Sequence, residues 1–242
     1  MFSRILFSAL LAVLVLLTVA SSGLAAPEPK PGVAPAKSSP YGMTYSQWGA
    51  AFWKWSLGMP ANDTHPGLDP GSVTNCGEQS QSGPVWFLAG TYATFTDLES
   101  GDVIGNAERS CTIPAGKALF VTPMTVECST VEGNGASEND LAACADGYMA
   151  QAHDLFVAVD GISIDDLTRY RFVSAFDTFT LPQPNILGMA EPQPNPSPFV
   201  ADGFYTMVLP LGEGEHEVRF AGHLGTGPGE FRTDVLYRVT VK

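Results

Sequence analysis

From Asp234 to Lys242 the chain reads DVLYRVTVK, with Val235, Tyr237, Val239 and Val241 at alternate positions and Leu236, Arg238, Thr240 and Lys242 between them. A period of two sends neighbouring side chains to opposite faces of an extended strand, so this strand has one buried and one wet face. The stretches PVWFLAGTYATF, GKALFVTPMTV, LFVAVDGISI, RYRFVSAFDTF, FYTMVLPL and HEVRFAGHL share its wealth of Val, Phe, Tyr and Thr and are bounded by Gly or Pro, which is strand chemistry. Asp160-Gly161 marks a tight hairpin, because the turn needs positive φ. Many short strands joined by turns predict a mainly antiparallel β-sandwich of jelly-roll or immunoglobulin-like type.

Two segments follow the helical period instead. In YSQWGAAFWKWSLGMP, residues 45–60, Thr44 and Gln47 form a capping-box pair, and Gly58 and Pro60 supply a left-handed cap and a stop. Tyr45, Trp48, Phe52 and Trp55 fall on one stripe that suits packing against a sheet. Trp53 falls on another face, where it is either covered by a second surface or exposed as an aromatic binding residue. With exposure, Trp48→Ala removes a large core residue while Trp53→Ala leaves the fold largely intact. The second helix follows Ser137, with Asp140 as its capping partner and Leu141, Cys144, Ala145, Tyr148, Met149 and Ala152 at helical spacing.

The N-terminus has a different pattern. MFSR precedes an uncharged run of 16 residues, Ile5 to Ala20, and then the small residues SSGLAA. That order reads as a signal peptide over 1–25, cut after Ala25, and the run is shorter than the roughly 20 residues of a membrane span. Residues 26–40 hold five prolines and read as an extended, solvated linker, leaving 41–242 as a single domain. The expected destination is secreted, periplasmic or cell-surface, with no membrane insertion after cleavage. Against 25 acidic residues the chain has only 12 Lys and Arg, which excludes nucleic acid as a partner because phosphate neutralisation needs clustered cations.

Export also sets the redox reading of Cys76, Cys111, Cys128 and Cys144. Three connectivities are open; pairing in sequence order closes the shortest loops and brackets one segment with each bond, and is the expected one. No C-x2-C spacing points to zinc.

W-x4-W-x-W over Trp48–Trp55, GPVWFLAG over 83–90, CTIPAGKALF over 111–120, ADGFY over 201–205 and GEHEVRF over 214–220 resemble a family of exported, functionally uncharacterised, mostly bacterial proteins. The resemblance implies a shared fold and the Cys76 to Cys111 bond. It implies no activity, so it assigns no catalytic residue.

Reactive patterns are absent: there is no G-x-S-x-G elbow, H-x-H or H-E-x-x-H. His65, His216 and His223 each stand near acidic residues and are candidate metal ligands if the fold brings them together. His216 alternates onto the face of Val218 and Phe220, which suits a hydrogen-bonded residue at the core's edge. His153 reads as the end of the second helix. Glu127, Asp146, Asp177 and Asp202 have apolar neighbours that can raise a carboxyl pKa for acid catalysis. The oxygen-rich loop ECSTVEGNGASEND offers Glu127, Glu132, Asn134, Glu138 and Asp140 to Ca2+, without EF-hand spacing. Trp53 and Trp86 are the candidate ligand-binding aromatics.

These readings converge on an exported, disulfide-stabilised, non-catalytic binding or structural module, whose unknown ligand could be a glycan or cell-surface polymer. The alternatives are an extracellular hydrolase using carboxylates and a calcium- or other metal-binding protein. No cofactor is expected beyond the Ca2+ candidate.

Overall fold

The computed structural model describes residues 30–62, 65–68, 76, 78–190 and 195–242; the expected signal peptide lies outside them. Among the described residues the fold is mainly β, with two sheets and two α-helices. The first sheet is built from β1 (Val85–Phe87), β4 (Ala118–Ser129), β9 (Ser197–Val208) and β7 (Arg171–Val173), in that order, with β8 (Asp177–Phe179) also on β9. In the second, β2 (Phe95–Thr96), β3 (Val103–Ile113), β11 (Phe231–Val241), β10 (Gly214–Leu224), β5 (Ala152–Val159) and β6 (Ile162–Ser163) follow one another. Two pairings are parallel, β1 with β4 and β3 with β11, and the others are antiparallel.

Alternation assembles the core. Val235, Tyr237, Val239 and Val241 of β11 meet Val218 and Phe220 of β10 and Leu119, Val121 and Val208 of the first sheet between the two layers. Both Asp160 and Gly161 adopt positive φ between β5 and β6, the turn their sequence called for. Strand β9 sends Phe199, Ala201, Tyr205 and Met207 to the opposite side, where α1 (Tyr45–Leu57) lies across the sheet.

The expected capping box of α1 is formed: the Gln47 amide donates to Thr44 Oγ1 at 3.3 Å and the Thr44 amide to Gln47 Oε1 at 2.9 Å. Gly58 is not left-handed, with φ −78°. Glycine is needed there for closeness, since a Cβ would stand 2.6 Å from the Lys54 carbonyl oxygen. Tyr45, Trp48, Phe52 and Trp55 are buried as one stripe, with the rings of Phe52 and Trp48 against Phe87 and Phe120. Gly49 brings the helix down onto the Tyr205 ring, 2.8 Å from where a Cβ would be.

Trp53 is covered too, only 7% exposed against 8% for Trp48. Its indole N–H donates to Thr125 Oγ1 at 3.1 Å. Thr125 gives its own proton to the Asp202 carbonyl at 3.0 Å and stands 2.9 Å from the Tyr205 hydroxyl, so its two lone pairs serve Trp53 and Tyr205. The helix therefore has buried positions on two sides, and Trp53 is no spare surface aromatic.

Helix α2 (Glu138–Met149) is capped by Ser137 and Asp140 as read. The Cys128–Cys144 bond ties it to β4, and Cys76–Cys111 ties the segment before β1 to β3. Leu141 and Ala145 pack on Cys128 and Val200, so α2 and the second sheet share one face of the first. The proline-rich stretch departs from the expected solvated linker. Val33 bridges Val208, the Ala34 amide donates to the Met207 carbonyl, and Ala34 is buried in the α1 core; extended backbone without periodicity is what an edge position accepts. No helix among the described residues is long and apolar enough to cross a membrane.

Equal burial removes the division of labour expected between the two tryptophans. Trp53→Ala is expected to lower the unfolding free energy in urea melts by about 3 to 5 kcal/mol, as Trp48→Ala does. A wild-type midpoint for Trp53→Ala would contradict its placement.

Candidate functional site

Strand β1 is only three residues long, and its last rung joins Phe87 to Phe120. Beyond that rung β4 loses its partner on this edge. On its other side the register with β9 slips: Val121 pairs Thr206 and Met124 pairs Phe204, so Thr122 and Pro123 oppose Tyr205 alone. A bulge of this kind re-aims side chains, and proline has no amide to leave unpaired.

A cavity of about 270 Å3 occupies the gap. Phe52 and Trp53 of α1 wall one side, Tyr92 another, and Phe220 and Phe231 of the second sheet the back. Thr91, Thr94, Thr122 and Thr233 add hydroxyls, and among the described residues no Asp, Glu, His, Lys or Arg takes part in the lining. Thr122 is 5% exposed, and its buried hydroxyl has no hydrogen-bond partner among the described residues. The cavity exceeds the roughly 150 Å3 of an apolar cavity that holds benzene.

The Tyr92 wall is fixed by its neighbours. Its hydroxyl stands 2.9 Å from Ser56 Oγ and its amide donates to the Gly67 carbonyl at 2.7 Å. His65 underlies this turn. Its Nδ1 accepts from the Gly67 amide at 3.0 Å, and its Nε2 lies 2.9 Å from the Ser56 carbonyl, to which it must donate. Both ring nitrogens are thus used by a neutral imidazole, and burial keeps its pKa below the ordinary histidine value. His65 is a structural pin with no lone pair to offer a metal.

The other predicted residues are dispersed. Trp86 lies between the sheets, 5% exposed, and does not line the cavity. His216 bonds Asp160 through Nδ1 at 2.7 Å and the Gly212 carbonyl through Nε2 at 2.9 Å. His223 meets neither His65 nor His216 but His153 and Asp154. His153 is not a helix end: α2 stops at Met149, and His153 belongs to β5. Asp140 is committed to Ser137 and the Asn134 side chain to the Ser129 amide, while Glu138 sits in the first turn of α2. Among the described residues the calcium candidates form no group of three acidic or histidine ligands.

Three of the candidate carboxylates, Asp146, Asp177 and Asp202, are held in ion pairs. Asp202, 1% exposed, holds Arg171 through Nε and Nη2, and Asp146 takes the same guanidinium at 2.7 Å. Asp177 pairs with Lys54. Glu127 is buried beneath the α1 layer with one oxygen unpartnered among the described residues. Burial first, and then the neighbouring Glu132 carboxylate, hold its pKa well above the ordinary range, against a lowering contribution from Ser129.

A broader groove of about 840 Å3 follows the other side of α1, past Gln47, Trp48, Lys54, Trp55 and Asp177. Trp48 and Trp55 are each at least nine-tenths buried, so neither presents a face on which a sugar ring can stack. Comparison with family models, curated proteins and solved structures finds no match for this chain.

Glu127 gives a pH signature. Its folded pKa is above the unfolded value of about 4.3, so its contribution to stability is complete below that pH and is lost as pH rises. Glu127→Gln is expected to stabilise the domain at pH 7.5 by at least about 1 kcal/mol, the worth of one pKa unit, and not at pH 4. Urea melts showing equal effects at both pH values would contradict the protonated state.

Proposed function

We infer that the mature chain is an exported, non-catalytic binding module that holds a small, neutral, mainly apolar ligand in the cavity beside the β4 bulge. The observation that carries this reading is a half-open aromatic pocket whose wall includes Thr122, a residue with a buried hydroxyl that has no partner among the described residues. An unpaired buried hydroxyl is costly, and a turn of the Thr122 side chain toward a ligand group able to bond it relieves that cost. Aromatic walls with a few polar groups are the usual make-up of a small-molecule site.

The uncharged lining supports binding over acid–base chemistry, since its described residues include neither a carboxylate pair nor a histidine. Export is supported by the leader-like N-terminus and by both disulfides. The buried tryptophans favour a compact ligand over a glycan or cell-surface polymer, which needs exposed rings.

Phenol and toluene differ by one hydroxyl and test the site directly. Phenol is expected to raise the melting temperature more than toluene at equal concentration. Thr122→Val should abolish that preference, worth about 0.5–1.5 kcal/mol, without destabilising the free protein. A Cβ at Gly90, in the cavity lining, meets nothing within 4 Å, so Gly90→Leu should fill the space and abolish both shifts. Binding unchanged in Gly90→Leu, or no shift with either compound, would overturn the reading.

A further inference from the structure

The outer face of the second sheet, at the same end as the cavity, holds a different arrangement, which shares none of the cavity's described lining residues. Strands β5 and β10 pair His153 directly with His223, and on one side of that rung the register slips so that Asp154 and Leu155 oppose Gly222 alone. Asp154 takes φ +50°, a left-handed conformation that costs a non-glycine residue energy and gathers at functional sites. The consequence is local. Asp154 Oδ2 is turned back to within 3.1 Å of His153 Nδ1 and 3.5 Å of His223 Nδ1, and one ligand atom from each residue lies within 4.8 Å of the others.

Ligands on a tetrahedral ion with bonds of 2.0–2.2 Å stand about 3.3–3.5 Å apart, and the two contacts to Asp154 bracket that spacing. His153 Nε2 donates to the Gly225 carbonyl at 2.9 Å. This leaves the lone pair of a neutral ring on Nδ1, facing Asp154, in the way a metal-bound histidine is oriented by a backbone carbonyl. Glu230 flanks the group with an 8% exposed carboxylate. Its Oε1 lies 2.9 Å from His223 Nδ1 but is out of line for a hydrogen bond, leaving a buried acceptor without one. Arg232 reaches both Glu230, at 3.4 Å, and buried Asp102, at 2.9 Å. Asp154, Glu230 and Asp102 against Arg232 leave an excess of negative charge that a divalent cation balances.

We propose that His153, His223 and Asp154, flanked by Glu230, form a binding site for a Zn2+-class divalent cation. Imidazole nitrogens with carboxylate oxygen select that class over Ca2+, which takes oxygen ligands. Nothing in sequence spacing announces the site, because its two histidines meet only through strand register.

Chelator-stripped protein with both disulfides intact, dialysed against micromolar Zn2+ and then against buffer, tests the proposal. Bound metal is counted by mass spectrometry and the melting temperature recorded. The wild type is expected to retain one Zn2+ per chain and to melt higher, with no such rise in Ca2+. Asp154→Gly suits the left-handed backbone and should keep the metal-free melting temperature while weakening Zn2+ binding at least about tenfold. His223→Gln should weaken it similarly. No zinc retained by the wild type, wild-type affinity in both variants, or an equal rise with Ca2+ overturns the assignment; in the first case protonated imidazoles balance the carboxylates instead.

Discussion

The buried guanidinium of Arg109 is the constraint on which the cavity depends. It projects from β3 into the space between the sheets, 1% exposed, and its Nη1 donates to the Ala89 carbonyl at 3.1 Å and the Tyr237 hydroxyl at 3.0 Å. Nη2 donates to the Gly90 carbonyl at 3.0 Å, and the guanidinium carbon stands 5.3 Å from the centre of the Tyr237 ring. Burying such a charge is costly unless its donors are used. Here they hold the chain at the point where it leaves the short β1. Residues 90–94 are thereby carried across the open edge of β4 as a wall, instead of closing the gap as further rungs of the sheet.

On the other side of that gap, the position of α1 follows from the first sheet. Gly49 allows the helix to settle on Tyr205, and Gly203 leaves room for Thr125, whose Oγ1 would be 2.5 Å from a Cβ there. Thr125 in turn fixes Trp53 by its indole N–H. The cavity thus has one wall set by a polar clamp between the sheets and one set by a helix anchored through a saturated hydroxyl. Both are built from interior contacts, which is why a space of this size can persist in a packed domain.

The parts of this architecture governed by local chemistry were legible in the sequence. Thr44 with Gln47, Ser137 with Asp140, and Asp160-Gly161 act within a few residues, and the alternation of β11 is complete in itself. The cysteine pairing followed sequence order because each bond closes a short excursion. Strand β3 was not legible: its inward positions are Gly105, Ala107, Arg109, Cys111 and Ile113, and a glycine and an arginine on the core face erase the apolar alternation. The burial of Trp53 escaped because its partner Thr125 is 72 residues away. The bulge at Thr122 and the meeting of His153 with His223 depend on register between distant strands, which single-chain periodicity does not encode. His65 and His216 were named for their acidic neighbours in sequence, whereas their ring nitrogens are taken up by other partners.

We propose the pocket at the β4 bulge as a binding site and not merely a packing defect. An amide and indole NMR titration with phenol measures this most directly. Saturable shifts are expected at the Thr122 and Met124 amides, the Trp53 indole N–H and the amides of residues 90–94, with the outer face of the second sheet unmoved. Saturable shifts on that outer face or along the groove of Trp48 and Trp55, with the bulge silent, would contradict it.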